Sequence, residues 1–363
     1  MSIAVAALVA VAASGARASA PGRACERPLI GFMGPITGKA AFIGKEQLGF
    51  ARYAVRTLGD GRIRLVEGDT QLDPKRAATV GAAFHRDARM LAVVGPAGSQ
   101  EVLAVAPIFN GGARMPFVSG SAVRAALTNG SIPSFLRVVP RDSAQAPALA
   151  RHIREVLKPK RVVVVDDRSS YSRPLAAGVQ LRLRARGVEV TRRSVSQRVT
   201  DFSALVSTIG VEVEVVVLPW QVAANAQLFG RELRAQGRKA VIVGADGLDS
   251  RDFTIPGSYV AAFAPDIRAL PGNAAFVKGY RATFVSNFGP PVYVAVQAAI
   301  AAIKKACADG DATRAEVQKH LQSTFIPRIV LGGELRFTAR GDRRGARFSV
   351  FKLGVGGRKT PVG

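Results

Sequence analysis

Residues 29–47, LIGFMGPITGKAAFIGKEQ, decide how the rest of the chain is read. A short apolar run ending at Met33 is followed at once by Gly34-Pro35, and then by a second glycine and a lysine, Gly38-Lys39. Two readings compete: a phosphate-binding loop, or a bare-backbone turn between a strand and a helix. A phosphate loop requires four residues between its glycines and a Ser or Thr hydroxyl after the lysine. Here three residues separate the glycines and Ala40 follows Lys39, so the nucleotide reading is weak. What remains is a strand over 29–33, a turn, and a helix entered near Ala40. The glycines permit either a tight turn or the close approach of a ligand.

Outward from this stretch, strand-like runs alternate with helical ones. Strands are expected over 63–67, 90–94, 116–118, 135–138, 161–166, 188–191, 213–218 and 240–243. Many are continuous apolar runs, the pattern of a parallel sheet covered by helices on both faces. Helices are expected over 46–58, 74–87, 100–110, 144–157, 174–186, 202–209 and 223–236. Asp73 and Asp201 stand as capping acids, and Gly187 and Gly237 sit just beyond helix ends. After 273 the order changes to consecutive helices over 274–287, 291–308 and 313–324. A strand pair over 333–337 and 347–353 closes the chain. The fold class is α/β, with a βαβ series repeated twice.

The chain has 363 residues, 48% of them hydrophobic, enough for a sizeable core and for two domains. Residues 1–20 are apolar for about a dozen positions and end in Ala18-Ser19-Ala20, the pattern of a secretory signal cleaved near Ala20. No Lys or Arg precedes that run, and Pro21 follows the cut. The run falls short of the ~20 apolar residues of a membrane span, and no other stretch reads as one. A lipid-modified Cys25 fits poorly, because Arg23 stands where small residues are usual. Cys25 and Cys307 either pair or remain free thiols. There is no C-x-x-C, and three scattered histidines give no metal spacing. The net charge of +25 invites a nucleic-acid reading. The arginines are spread along the chain without an aromatic-interleaved patch, and the group around Arg182, Arg184 and Arg186 reads as a solvated face, so no nucleic acid is expected. A positive field does steer anions.

Ligands of open α/β sheets sit beyond the carboxyl ends of the strands. The sequences there are GPAGSQ, SGSAV, DDRSSYS, PWQ and GADG. They supply small residues, hydroxyls, two aromatics and an isolated carboxylate, a set that can hold a small polar molecule.

Taken with GPITGKAAFIG, DTQLDPKRA, RVVPRDSAQ, TDFSALV, RELRAQG and GGELRFTARGD, in that order and spacing, the sequence resembles the type I periplasmic substrate-binding proteins of ABC importers, of the leucine/isoleucine/valine-binding kind. The resemblance runs from about Pro28 to the C-terminus. It implies two Rossmann-like lobes joined by three crossovers, lobe I over 28–139 plus 270–330 and lobe II over 140–269 plus 331–360, closing on a ligand between them. It implies a periplasmic protein without a cofactor, probing small molecules as a monomer and delivering them to permease subunits. Ser99 matches the hydroxyl that holds a ligand carboxylate at a helix N-terminus. Ser121 and Ala122 match a second backbone contact, Tyr171 and Trp220 the aromatics of the other lobe, and Asp246 the acid that receives an α-ammonium. Each has an ordinary alternative: a helix cap for Ser99, core packing for the aromatics, a turn for the GADG carboxylate.

Three positions depart from the family. Val123 stands where Thr is usual, Ile43 replaces a pocket aromatic, and Ser172-Arg173-Pro174 replaces Gly-x-Gly after Tyr171. Leu72 and Gly98 occupy positions that form a disulfide in some members. Because the family packs the helix ending at Cys307 in the same lobe as Cys25, a bond between these two is open. No G-x-S-x-G elbow, placed base or paired catalytic carboxylates support an enzyme. The implied function is capture of an apolar or branched-chain amino acid. The alternatives are an aromatic or aliphatic acid or amide as cargo, or a sensing role in place of transport.

Overall fold

The computed structural model describes residues 23–284 and 286–362. The signal sequence expected over 1–20 lies outside them.

Five parallel strands form the first sheet: β1 Leu29–Gly34, β2 Arg64–Asp69, β3 Met90–Val94, β4 Phe117–Ser119 and β5 Phe135–Arg137. Their order is β2-β1-β3-β4-β5. The second sheet starts with β6 Arg161–Asp166, β7 Glu189–Ser194, β8 Val215–Leu218, β9 Val241–Gly244 and β10 Tyr259–Ala262. These five repeat the first order as β7-β6-β8-β9-β10. Central strands such as β1, β3 and β8 are buried along their whole length, whereas the edge strands β2 and β7 are mostly exposed or half-buried, with one buried residue each. In each sheet the winding reverses between the first and third strand in chain order, β1 and β3 in one and β6 and β8 in the other, a switch point that opens a crevice at the strands' carboxyl ends.

The chain crosses between sheets three times. It passes to the second sheet after β5, through helix Asp142–His152 and the wide turn Ile153–Leu157. It returns after β10 into helix Gly289–Ala306, which packs on helix Ala41–Leu58 and on β3 and β4. It crosses again before β13 (Ser349–Leu353), which pairs antiparallel with β10 and with β14 (Lys359–Pro361).

Four expectations change. The strand pair expected over 333–337 and 347–353 does not form: β12 (Leu335–Arg336) pairs with β11 (Phe325–Ile326), and β13 joins the second sheet. The segment between them turns onto the edge of β5, where Gly341 O accepts from Arg137 N at 2.8 Å and Asp342 pairs with the Arg137 guanidinium at 2.7 Å. Part of 331–360 thus lies on the first sheet. The helix expected over 274–287 stops at Tyr280, because Arg281 takes a left-handed φ of 56°. The helical stretch Gly289–Asp309 is long and apolar enough to span a membrane by length and composition, contrary to the sequence reading, but its helix Gly289–Ala306 is a core helix with Val292, Val294, Ala295 and Ile303 buried. β10 was not foreseen.

Cys25 and Cys307 form a disulfide, with Cα atoms 5.5 Å apart. It ties the segment before β1 to the end of helix Gly289–Ala306.

Candidate functional site

The glycine loop that opens the chain is a closed turn. Asp69, ending β2, accepts from Ile36 N at 2.9 Å and from Thr37 N at 3.1 Å, and the Thr37 hydroxyl donates to its other oxygen at 2.5 Å. Gly44, in the first turn of helix Ala41–Leu58, is where the backbone comes closest: a Cβ there would lie 2.2 Å from Pro35 O. The Ile36 and Thr37 N–H groups are thus spent on Asp69 rather than presented to an anion.

Ser99 opens helix Ser99–Asn110 after β3 and is buried. Its hydroxyl accepts from Arg124 N at 3.3 Å, which leaves its own proton to donate. Glu101, one turn in, accepts from Gly98 N at 2.6 Å, and burial raises its pKa to about 7. Leu72 lies against Gly98, a Cβ on which would meet it at 2.7 Å.

Ser121, Ala122 and Val123 follow β4 and are all buried. The Ser121 hydroxyl is spent internally, donating to Ala97 O and accepting from Gln47 Nε2, both at 2.8 Å. The N–H groups of Ser121 and Ala122 turn to Ser119 Oγ at 3.3 and 3.0 Å. Beneath this loop the buried Arg137 guanidinium donates to Ala122 O at 3.3 Å and Arg124 O at 2.8 Å. Arg137 thereby fixes the wall on which Val123 stands.

In the second lobe, Tyr171 and Asp246 come together: the phenol donates to Asp246 Oδ1 at 2.8 Å. Gln145 Nε2 donates to the same oxygen at 2.5 Å. Asp246 is 3% exposed, and burial raises its pKa to about 7 against the pull of these two donors. Burial and the neighbouring carboxylate push the Tyr171 phenol well above its usual range, so it stays a donor. Gln145 Oε1 and Asp142 Oδ2 are buried acceptors without a hydrogen-bond partner.

Trp220 is placed differently. Its indole donates to Val165 O at 2.7 Å and packs against Phe202 and Phe229 in the core of the second sheet. A fully buried indole needs a partner for its N–H, and the carbonyl of the neighbouring strand supplies it. The next residue, Gln221, reaches across to the first lobe and exchanges hydrogen bonds with Gln100 at 3.1 and 3.2 Å. The lobes therefore meet.

One helix joins both halves of the site. Asp142, in the first turn of Asp142–His152, accepts from Ala125 N at 2.8 Å and donates its own N–H to Val123 O at 2.7 Å. Gln145, three residues on, touches Asp246. Sequence reading missed Gln145, Asp142 and Arg137. The available signal was the Asp-x-x-Gln spacing in RDSAQ, which puts both side chains on one helix face where the chain changes lobes.

A separate cavity of about 510 Å³ at the lobe junction is lined by Phe42, Lys45, Glu46, Ser250, Arg251 and Tyr280, among others.

The periplasmic binding protein family pattern matches residues 29–357. This chain belongs to that family. As a periplasmic binding protein it binds solutes and is not an enzyme. Among curated relatives, a Leu/Ile/Val-binding protein of Rhizobium johnstonii is 28% identical over 344 residues, covering 90% of this chain and 92% of its own. An amino acid binding protein of Pseudomonas aeruginosa is 27% identical, covering 89% of each chain. Among solved structures, a leucine binding protein of Thermotoga maritima superposes with a TM-score of 0.84 at 22% identity, covering 93% of this chain and 98% of that one. A solute binding protein of R. palustris in complex with benzoate reaches 0.80 at 18% identity, covering 93% and 96%. These structural likenesses establish the fold.

Proposed function

We propose that this binding protein captures a small carboxylate outside the cytoplasm, an apolar or branched-chain amino acid, and delivers it to an ABC import permease. The observation that carries the reading is the acceptor cluster around Asp246. A buried carboxylate takes both of its side-chain donors on one oxygen, beside a Gln145 Oε1 that has none. Buried acceptors are satisfied in native proteins, and an ammonium offers the missing donors. At the other end, the Ser99 hydroxyl proton and a helix N-terminus suit a carboxylate. The relatives named for leucine, isoleucine and valine support the same cargo.

Val123 favours a second reading. A valine in place of a hydroxyl removes a hydrogen bond worth about 1 kcal/mol to a zwitterion and suits an aromatic or aliphatic acid, the kind of ligand held by the R. palustris protein. The remainder of the reading is a signal cleaved near Ala20, a monomer in the periplasm, and lobes over 28–139 plus 270–330 and 140–269 plus 331–360, with 337–343 folded back onto β5.

Calorimetry with leucine, valine, phenylalanine and benzoate tests the cargo. Wild type should bind an aliphatic amino acid, and Asp246→Ala should weaken it by about 30-fold, ~2 kcal/mol, the cost of a lost charged partner. Binding of benzoate alone, with an affinity indifferent to Asp246→Ala, would replace the amino acid with the second reading.

A further inference from the structure

The pole of the second lobe remote from the cleft is cationic and partly apolar. It is the end where β6, β7 and β8 begin, opposite the carboxyl ends that carry Tyr171 and Asp246. Arg151, Arg154, Lys158, Lys160, Arg182 and Arg186 are all exposed there. A groove of about 930 Å³ and another of about 400 Å³ run over this end and share Arg154 and Arg186 in their walls. Of the four carboxylates in or beside the larger groove's wall, Glu155 pairs with Arg154, Glu189 with Arg161, and Glu214 accepts from the Arg161 N–H; Glu212 is exposed in the same wall and offsets one of the cations.

Cations in the last turn of a helix answer the helix dipole, and that accounts for Arg151, Arg154 and Arg182. It extends to Lys158, the C-cap of the turn Ile153–Leu157, but does not account for Lys160 and Arg186, which lie in loops beyond the helices. Nor does it account for the apolar residues among them. Four large apolar side chains are more than half exposed among the described residues, Val156, Leu181, Val211 and Val355, and the first three sit at this pole. Val211 lines the larger groove with Arg154 and Arg186.

We propose that this pole docks on an anionic lipid surface, with the arginines and lysines on the headgroup phosphates and Val156, Leu181 and Val211 entering the interface. A soluble polyanion would use the cations and leave the apolar side chains in water. A lipid surface uses both, because interfacial binding combines apolar burial with attraction to anionic headgroups. Docked this way, the cleft at the opposite end of the lobe stays open to solute.

Co-sedimentation with extruded vesicles decides it. The wild type should pellet with vesicles containing phosphatidylglycerol and stay in solution with phosphatidylcholine alone, and its binding should fall with added salt. Reversing the pole with Arg151→Glu, Arg154→Glu, Arg182→Glu and Arg186→Glu should weaken binding at least tenfold. A control carrying Lys75→Glu, Arg76→Glu, Arg340→Glu and Arg347→Glu makes the same change in net charge elsewhere on the exposed surface and should stay within threefold of wild type. Leu181→Ser with Val211→Ser should cost several-fold more than it changes binding to inorganic polyphosphate. Thermal unfolding of each variant checks that it folds. Equal losses in the two charge variants would mean that net charge alone drives binding and would overturn the proposal. So would pelleting with phosphatidylcholine, or polyphosphate binding at the pole with no binding to vesicles.

Discussion

The two lobes use an aspartate at the carboxyl end of a strand in opposite ways. Asp69, the last residue of β2, is surrounded by donors from its own lobe: two backbone N–H groups and a hydroxyl from the glycine loop, plus Gln71 N at 3.2 Å. Asp246, after β9, is deeper, yet both of its side-chain donors converge on one oxygen and an unpartnered carbonyl lies beside it. The first acid finishes a loop; beside the second, the atoms left without a partner are Gln145 Oε1 and Asp142 Oδ2, both acceptors. A carboxylate ringed by its own loop's donors fixes structure, whereas a buried one flanked by unpartnered acceptors suits a ligand that brings donors.

The contrast breaks most severely at the staple of the first lobe. Removing it with Cys25→Ser and Cys307→Ser should lower stability by about 5 kcal/mol, since the bond closes a loop with a sequence separation of 282 residues. Urea unfolding of oxidised wild type against the double variant measures it. A loss under 1 kcal/mol would show that packing, not the bond, secures the lobe.

The next effect is the pH dependence of Asp246. Its folded pKa, pushed up to about 7 by burial, lies above the unfolded value of 3.8. Between these values the unfolded chain loses a proton that the native one keeps. Stability is therefore full below pH 3.8, falls as pH rises toward 7, and is flat above, by up to on the order of 4 kcal/mol. Asp246→Asn keeps an Oδ1 acceptor for Tyr171 and Gln145 and removes the titration. The variant should melt near wild type at pH 4 and above it at pH 8 in ligand-free protein. A melting difference that ignores pH would mean that Asp246 is charged and already compensated.

Asp69→Ala gives the smallest and most diagnostic effect. It should cost about 2 kcal/mol of stability through the orphaned loop donors, while ligand affinity moves less than threefold. If affinity fell as far as in Asp246→Ala, the two acids would not differ in kind.

Much of this architecture is legible from local pattern. The strands beginning at Leu29, Met90 and Arg161 are fixed by unbroken apolar runs, and Asp73 caps its helix by accepting from Lys75 N and Arg76 N. Gly187 and Gly237 take the positive φ expected past helix ends. What escapes depends on distant partners. The helix entered near Ala40, given its main span as 46–58, starts at Ala41, and Gly44 in its first turn clears Pro35. The 333–337 segment has strand character, but it pairs with Phe325–Ile326, and the stretch after it is held on β5 by the Arg137–Asp342 ion pair, a contact across the chain. In the site, Ser99, Tyr171 and Asp246 sit after the strands that predict them. Trp220 does too, but facing its own core, since a strand-end position does not say which way a ring turns. Gln145 is a polar residue early in a helix, ordinarily a solvent-facing place, and only the packing of that helix beside the turn after β9 brings it to Asp246.

The disulfide has a topological meaning that its strength does not convey. Between Cys25 and Cys307 lie every strand of the first sheet and β6 to β10 of the second. Those five strands are thus a detour inside a covalent ring whose clasp is on the first lobe. Should the second lobe open or unravel, the ring returns its two ends to the same place, so the first lobe keeps its boundary. β13 and β14, beyond the clasp, enter the second sheet as a free tail. A nick anywhere inside the ring would leave two fragments that travel as one molecule until the bond is reduced.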